Sequence, residues 1–262
     1  MRWLVAHADA TPLAGPATAR AVWLTGQSSW RHSQLSPGQL AVLDTLAAHG
    51  WEPLRVGFPW TERAAAEPYR REPLLAASAR NARQWAAARP GSRFARHAAD
   101  HLQVLLDRTA TDLLLLCGSA GARVLASAAP SLRTPAGLRV HVVGLGPVGA
   151  LPVAGSGWSV HVVRGRSDLL SRWGHRGAAD VVVPGGHLVA ATSPAAVAAV
   201  LHLVGPPSGA ASPAPSAAPS VTPSEEASGA SPVEPSGDAS AQPSGDGRSA
   251  AAARPDVDGA PR

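Results

Sequence analysis

The stretch Leu-Leu-Leu-Leu-Cys-Gly-Ser-Ala-Gly at residues 113–121 holds the most apolar run in the chain. The run is short and leads into Gly118, which is typical of a strand buried on both faces of a parallel sheet. Residues 119–129 have a helical pattern that ends at Pro130. The stretch therefore predicts a central strand, a tight turn and a helix.

The same alternation of strand and helix extends to both sides of this unit. Further strands are predicted at residues 21–25, 54–58, 138–143, 160–164 and 179–183. Helices are predicted from Pro37 to about Gly50, over about 73–88 and 94–107, and from Pro194 to Val204, the last with Ser193 as its N-cap. The first of these begins with a capping box, in which Ser36 and Gln39 satisfy each other's backbone N–H groups. Together these elements predict an α/β fold with a mostly parallel central sheet and helices on both faces.

The C-terminal part of the chain has a different composition from the rest. Residues 206–262 contain no Leu, Ile, Phe, Trp or Tyr and are rich in Pro, Ser, Ala and Gly. Such a segment cannot bury enough apolar surface to offset its conformational entropy. We therefore expect one folded domain at residues 1–205 and a disordered tail at residues 206–262.

Charge and cysteine content narrow the class of protein. The chain of 262 residues has no Lys, and its 23 Arg exceed its 18 acidic residues. This excess favours anionic ligands in general and gives no reason to expect nucleic acid. The single cysteine, Cys117, excludes an internal disulfide. The sequence has no signal peptide and no apolar run of about 18 residues, so we expect a cytoplasmic protein without a membrane span.

Three polar side chains follow predicted strands in an order that suggests nucleophilic catalysis. Ser119 stands in Cys-Gly-Ser-Ala-Gly, where small neighbours permit a sharp turn that exposes the hydroxyl above the sheet. Asp168 follows the strand at 160–164, and His187 follows the strand at 179–183 within Pro-Gly-Gly-His. Each also has a structural interpretation, since Ser119 and Asp168 are common helix caps and a lone histidine is usually structural.

The order Ser119, Asp168, His187 resembles that of the α/β-hydrolase fold family. The resemblance covers residues 20–204 and rests on the motifs at 113–121, 165–168 and 184–188. It implies that Ser119 is the nucleophile, His187 the base and Asp168 the group that orients the base. It further implies that the backbone N–H groups of Gln27 and Ala120 stabilise an oxyanion.

In this interpretation the chain is a hydrolase of an ester or thioester that needs no cofactor and no metal. Its partner is a small-molecule acyl substrate, and its oligomeric state stays open. Cys117 replaces the usual first glycine of the serine motif, and Thr25 replaces the usual histidine before Gly26. Only 49 residues separate Ser119 from Asp168, so any lid comes from residues 61–110 or from the loop 27–36.

Two other functions remain open. The altered oxyanion loop and Cys117 are compatible with a non-catalytic binding protein on a hydrolase scaffold. Gly144, Gly146 and Gly149 match the dinucleotide fingerprint Gly-x-Gly-x-x-Gly. That fingerprint requires a helix directly after the glycines, and the Pro- and Gly-containing residues 150–158 leave little room for one. The pair His97 and His101 has metal-binding spacing but no clear third ligand.

Overall fold

The computed structural model describes residues 2–7, 9–27, 29–155 and 157–209, all of which belong to one compact unit. Residues 210–262, which make up most of the predicted disordered tail, lie outside the described residues. The strands are β1 (Ala17–Leu24), β2 (Glu52–Leu54), β3 (Thr109–Gly118), β4 (Arg139–Leu145), β5 (Trp158–Gly165) and β6 (Val181–Val183). The helices are α1 (Arg2–Val5), α2 (Pro37–Ala48), α3 (Glu62–Ala65), α4 (Leu74–Ala87), α5 (Arg93–Asp107), α6 (Gly121–Ala128), α7 (Leu169–Gly174), α8 (His187–Ala190) and α9 (Pro194–Val204).

The strands of the described residues form one sheet in the order β2-β1-β3-β4-β5-β6, and every neighbouring pair is parallel. The predicted α/β fold with a parallel central sheet is therefore confirmed. β3 contains the leucine run and lies in the interior of the sheet, between β1 and β4. Because all strands run in one direction, their C-terminal ends meet at a single edge.

Side chains of the central strands alternate between two hydrophobic cores, one on each face of the sheet. Leu113, Leu115 and Cys117 of β3 pack in the core that α5 and α6 cover. Leu114 and Leu116 pack in the opposite core, which α2 and α9 cover. The continuous apolar run is thus needed because both faces of β3 are buried.

Two predicted helices are confirmed together with their caps. The Ser36 hydroxyl accepts a hydrogen bond from the Gln39 N–H, and the Gln39 side chain accepts one from the Ser36 N–H. Ser193 caps α9 in a similar way by accepting from the Ala196 N–H. These interactions lie within a few residues of each other, which explains why local sequence predicted them.

The predicted strand at 54–58 is wrong beyond Leu54. β2 ends there, and the chain leaves the sheet to pair with the loop before α2, where the Gly57 N–H donates to the Ser33 carbonyl over 2.7 Å. The apolar character of Val56 and Phe58 reflects burial in the core and not continued strand pairing. Local patterning cannot distinguish these two reasons for an apolar residue.

The folded region extends slightly beyond the predicted boundary at residue 205. Pro207 is buried, and the Ser208 N–H donates to Asp112 Oδ2 over 2.9 Å. Asp112 lies near the start of β3, so the segment after α9 is bound to the interior strand of the sheet. No helix in the described parts of the chain is long and apolar enough to cross a membrane.

Candidate active site

Ser119 occupies a sharp turn between β3 and α6. Its φ angle is 49°, a left-handed conformation that residues other than glycine rarely adopt. The predicted helix start at residue 119 is therefore wrong, and α6 begins at Gly121 instead. A Cβ atom on Gly121 would lie 1.9 Å from the Leu24 carbonyl oxygen, so only glycine permits the close approach of this turn to β1. The Ser119 side chain does not cap α6, whose N-cap is Ala120 without a side-chain hydrogen bond.

The structure brings Ser119, His187 and Asp168 together at the C-terminal edge of the sheet. His187 Nε2 lies 3.2 Å from Ser119 Oγ, and His187 Nδ1 lies 3.0 Å from both carboxylate oxygens of Asp168. Each residue follows a different strand: Ser119 follows β3, Asp168 follows β5 and His187 follows β6. A serine, a histidine and a carboxylate in this chain of contacts can activate the serine hydroxyl as a nucleophile.

The carboxylate of Asp168 has two partners. It is fully buried, and besides His187 it accepts a hydrogen bond from the Ser171 N–H over 2.8 Å, which caps α7. The capping interpretation and the orienting interpretation of Asp168 are therefore compatible. Two other carboxylates near strand ends, those of Asp180 and Asp112, have partners of their own. Asp180 Oδ2 accepts from the Val162 N–H, and Asp112 binds Arg139 and His141.

The glycines of the dinucleotide motif serve a different purpose. Among the described residues between β4 and β5 there is no helix, so the fingerprint lacks the helix N-terminus that would bind a pyrophosphate. Gly146 has φ 57°, and a Cβ atom there would lie 2.7 Å from Asp168 Oδ2 and 3.4 Å from His187 Nδ1. This glycine thus allows the backbone to pack against the Asp168–His187 pair, a role that sequence reasoning missed.

The two expected oxyanion donors differ in their environment. The N–H of Ala120 makes no hydrogen bond within the described residues, and it lies directly after Ser119 at the start of α6. The N–H of Gln27 instead donates to Gln84 Oε1 of α4 over 2.5 Å. Gln27 therefore does not offer a free donor in this conformation, contrary to the expectation from the resemblance.

A cavity of about 280 Å³ opens beside Ser119 and His187. Its walls include His32, Ser33 and Gln34 of the loop before α2, and Tyr69 and Asn81 from the segment between β2 and β3. Both segments were expected to supply any lid. They are held together by an edge-to-face contact between the rings of His32 and Tyr69, whose centroids lie 5.9 Å apart. Uncharged polar groups form much of the wall.

Asn81 and Gln84 were not identified from the sequence. Both lie in the interior of α4, where a polar residue usually faces solvent, and no motif marks them. Asn81 is the single asparagine of the chain, which is a weak signal at best. Their importance arises from the packing of α4 against the loop that contains Gly26 and Gln27, and this packing is a tertiary property.

Cys117 is buried in the core below the turn, where burial raises the pKa of its thiol far above the ordinary value. It therefore stays a neutral thiol and is not a second nucleophile.

The pair His97 and His101 has other contacts. His97 lies 3.8 Å from Asp100, and the ring of His101 packs on Phe58. Among the described residues no three His, Cys, Asp or Glu side chains are grouped so that they could hold a metal ion.

Comparison with known proteins adds little to this description. No protein-family model matches the chain, and no curated protein matches its sequence. A solved structure of a provisionally assigned hydrolase from Agrobacterium vitis S4 is similar, with 16% sequence identity and a TM-score of 0.43. The similarity covers 74% of this chain and 89% of that one. At these values it carries no conclusion about activity, so the function must be argued from the site.

Proposed function

We propose that this protein is a serine hydrolase that cleaves an ester or thioester through an acyl-enzyme intermediate. One observation carries the proposal: the contacts from Ser119 Oγ to His187 Nε2 and from His187 Nδ1 to Asp168 are continuous and open into a cavity. Nucleophile, base and orienting acid within hydrogen-bond reach of one another are the geometric signature of nucleophilic catalysis. The left-handed backbone of Ser119 supports the same proposal, since such strain is concentrated at functional sites.

In the first half of the reaction, Ser119 Oγ attacks the acyl carbonyl carbon while His187 Nε2 accepts the hydroxyl proton. Asp168 accepts the Nδ1–H of His187, which keeps the imidazole in the tautomer whose Nε2 is free to accept. The carbonyl oxygen becomes an oxyanion near the start of α6, where the Ala120 N–H is available. His187 then returns the proton to the departing alcohol or thiol, which leaves an acyl-serine.

In the second half, water replaces the leaving group. His187 Nε2 takes a proton from this water as it attacks the acyl-serine, and the same proton passes to Ser119 Oγ when the acid is released. No redox step occurs, so the proposed reaction requires no cofactor. The buried Asp168 also accepts a hydrogen bond from the Ser171 N–H, which keeps its position fixed through both halves.

The cavity favours a small acyl group. A volume of about 280 Å³ lies just below the range of roughly 300–1,000 Å³ that is usual for ligand pockets. Polar groups such as Gln34, Gln39 and Thr192 contribute to its wall, so a long alkyl chain would place apolar surface against polar atoms and remove them from water. We therefore expect faster turnover of short acyl esters than of long ones.

A binding protein without catalysis is the second candidate. The observation that favours it is the occupied N–H of Gln27, because one of the two expected oxyanion donors is then missing. In that case a ligand would occupy the same cavity without covalent reaction at Ser119.

Labelling with a fluorophosphonate probe separates the two functions. The proposal expects a stoichiometric adduct on the peptide that contains Ser119, and no adduct in the Ser119→Ala variant. Ser33 lines the same cavity, so Ser33→Ala is the matched control and should be labelled like the unchanged protein. A folded protein that forms no adduct at Ser119 would overturn the proposal in favour of the binding protein. If Ser119 is labelled, a panel of nitrophenyl esters and acyl-CoA thioesters identifies the leaving group.

A further inference from the structure

The site as described has one oxyanion donor where two are expected. The Gln27 N–H points to Gln84 Oε1, which accepts it over 2.5 Å. Because a backbone N–H needs an acceptor, this contact fixes the Gln84 amide with its oxygen toward Gln27. Gln84 is 4% exposed, and its Nε2 atom is buried without a hydrogen-bond partner among the described residues. The arrangement is therefore a buried one that a substrate does not reach directly.

Asn81 lies one turn earlier on α4 and faces the cavity that contains Ser119. Its Oδ1 atom, a hydrogen-bond acceptor, is buried without a donor among the described residues. Unpaired buried polar atoms are rare in native proteins and call for an explanation. An anionic ligand group would accept from the Nδ2 end of this amide, because no partner of Oδ1 holds the amide in one orientation.

The position of Asn81 relative to the turn is defined by Gly26. A Cβ atom on Gly26 would lie 2.4 Å from Asn81 Oδ1 and 3.1 Å from Ala120 Cβ. The amide of Asn81 is thus close to the residue whose N–H is the available oxyanion donor. Gly26 has no side chain, and this absence leaves the space that the amide occupies.

We infer that Asn81 is a further catalytic residue that donates a hydrogen bond from its side-chain amide to the oxyanion, in the place expected for the Gln27 N–H. The inference rests on the proposed function. Rotation of the Asn81 amide about its terminal bond brings Nδ2 to the side of the turn where Oδ1 lies in this structure. Ala120 N–H and Asn81 Nδ2 then approach the oxyanion from the turn and from α4. Gln84 acts as a positioning residue that holds the loop of Gly26 and Gln27 against this helix.

The rate at which a fluorophosphonate modifies Ser119 tests the inference without knowledge of the substrate. As Ser119 Oγ attacks phosphorus, the phosphoryl oxygen gains negative charge and requires the same donors as the acyl oxyanion. Removal of one such donor lowers a rate by about 10²–10³-fold. We expect a loss of about this size for Asn81→Ala, and at least as large a loss for the isosteric Asn81→Asp, whose carboxylate repels the developing charge.

Controls distinguish catalysis from structure. Arg83 is exposed on the same helix, so Arg83→Ala should keep the labelling rate within about twofold. With a short nitrophenyl ester, Asn81→Ala should lower kcat and leave KM nearly unchanged, because the hydrogen bond forms only in the transition state. If Asn81→Ala fails to fold, Asn81→Asp, which keeps the shape of the side chain, decides the question.

The outcomes also separate this inference from the proposed function. If the unchanged protein is labelled at Ser119 but both Asn81 variants react within about threefold of it, the inference is wrong and the hydrolase stands. If Gln84→Met, which frees the Gln27 N–H, reacts faster than the unchanged protein, the backbone donor is the functional one and Asn81 is not. If the folded, unchanged protein is not labelled at all, the proposed function fails.

Discussion

The carboxylate of Asp168 caps the N-terminus of α7 and also contacts the imidazole of His187. It accepts from the Ser171 N–H over 2.8 Å and lies 3.0 Å from His187 Nδ1. The short helix α7 that follows Asp168 thereby fixes the side chain that orients His187. The cap and the candidate site therefore depend on one residue, and a substitution must be chosen to separate them.

Asp168→Asn makes this separation. The asparagine oxygen can still accept from the Ser171 N–H, so we expect little change in melting temperature. Its NH2 group then faces His187 Nδ1, which favours the tautomer with the proton on Nε2. That tautomer cannot accept the proton of Ser119, so we expect the labelling rate to fall about 10²–10⁴-fold. A variant that reacts at the unchanged rate would contradict the role of Asp168.

Gly146 tests the geometry of the same pair from the backbone side. A methyl group at this position would lie 2.7 Å from Asp168 Oδ2, so Gly146→Ala should displace the Asp168–His187 pair. We expect at least a roughly tenfold loss of the labelling rate, because small displacements of catalytic groups are costly. Gly137→Ala is the matched control, since Gly137 has a similar positive φ of 83° but no atom within 4 Å of the added methyl. Equal effects of the two substitutions on labelling would show that the contact between Gly146 and the Asp168–His187 pair does not matter for reactivity.

At the scale of elements, the β3–turn–α6 unit depends on contact with β1. Gly121→Ala would place a methyl group 1.9 Å from the Leu24 carbonyl oxygen, which is rigid backbone. We expect a loss of about 3 kcal/mol or more in the free energy of unfolding, measured by urea denaturation. Gly15→Ala should be nearly neutral, because Gly15 has no atom within 4 Å of the added methyl. A Gly121→Ala variant as stable as the Gly15→Ala variant would show that the turn is looser than described.

Helix α5 makes the stability of the protein dependent on pH. Burial, reinforced by His7 and by His97 and opposed by Asp100, lowers the pKa of His101 from 6.5 to about 4. Since the unfolded chain then binds the proton more readily, stability is full above pH 6.5 and falls as the pH drops towards 4. The loss is at most about 3 kcal/mol.

Urea titrations across this pH range, with His101→Phe as the comparison, measure the effect. The variant should have a shallower pH dependence, because it removes the proton-binding group and can keep an aromatic contact with Phe58. A residual slope is expected from His7, whose pKa is also lowered by burial and by Arg63. Identical slopes in both proteins would exclude His101 as the source.

At the scale of the whole molecule, Asp112 binds the segment that follows α9 to the sheet. Burial alone would raise the pKa of this carboxyl, but hydrogen bonds from the Ser208 N–H and from His141, together with the charge of Arg139, lower it overall. The residues that follow α9 therefore contribute a partner to a buried charge. Described structure thus continues past the change in composition at residue 206.

Two truncations test how much the contact between Ser208 and Asp112 stabilises the protein. A chain that ends after Gly209 keeps the Ser208 contact, and the residues removed carry no large apolar side chain, so its stability should be nearly unchanged. A chain that ends after Gly205 leaves Asp112 without one partner and should lose about 1–3 kcal/mol. Urea denaturation of both chains beside the full-length protein measures the difference. Equal stability of the two truncated chains would contradict the contribution of Ser208.

The class of fold and the order of the candidate site residues can be predicted from the sequence. The leucine run predicted the interior strand, and Ser36 and Ser193 predicted helix starts, because these signals act between residues a few positions apart. The expectation that Ser119, Asp168 and His187 act together follows from the resemblance to the α/β-hydrolase fold family and from the place of each residue after a predicted strand. Three features are visible only in the tertiary structure: the direction of the Gln27 N–H, the position of Asn81 in the cavity wall and the approach of Gly146 to Asp168. These features depend on how distant segments pack, and local periodicity carries no information about packing distance.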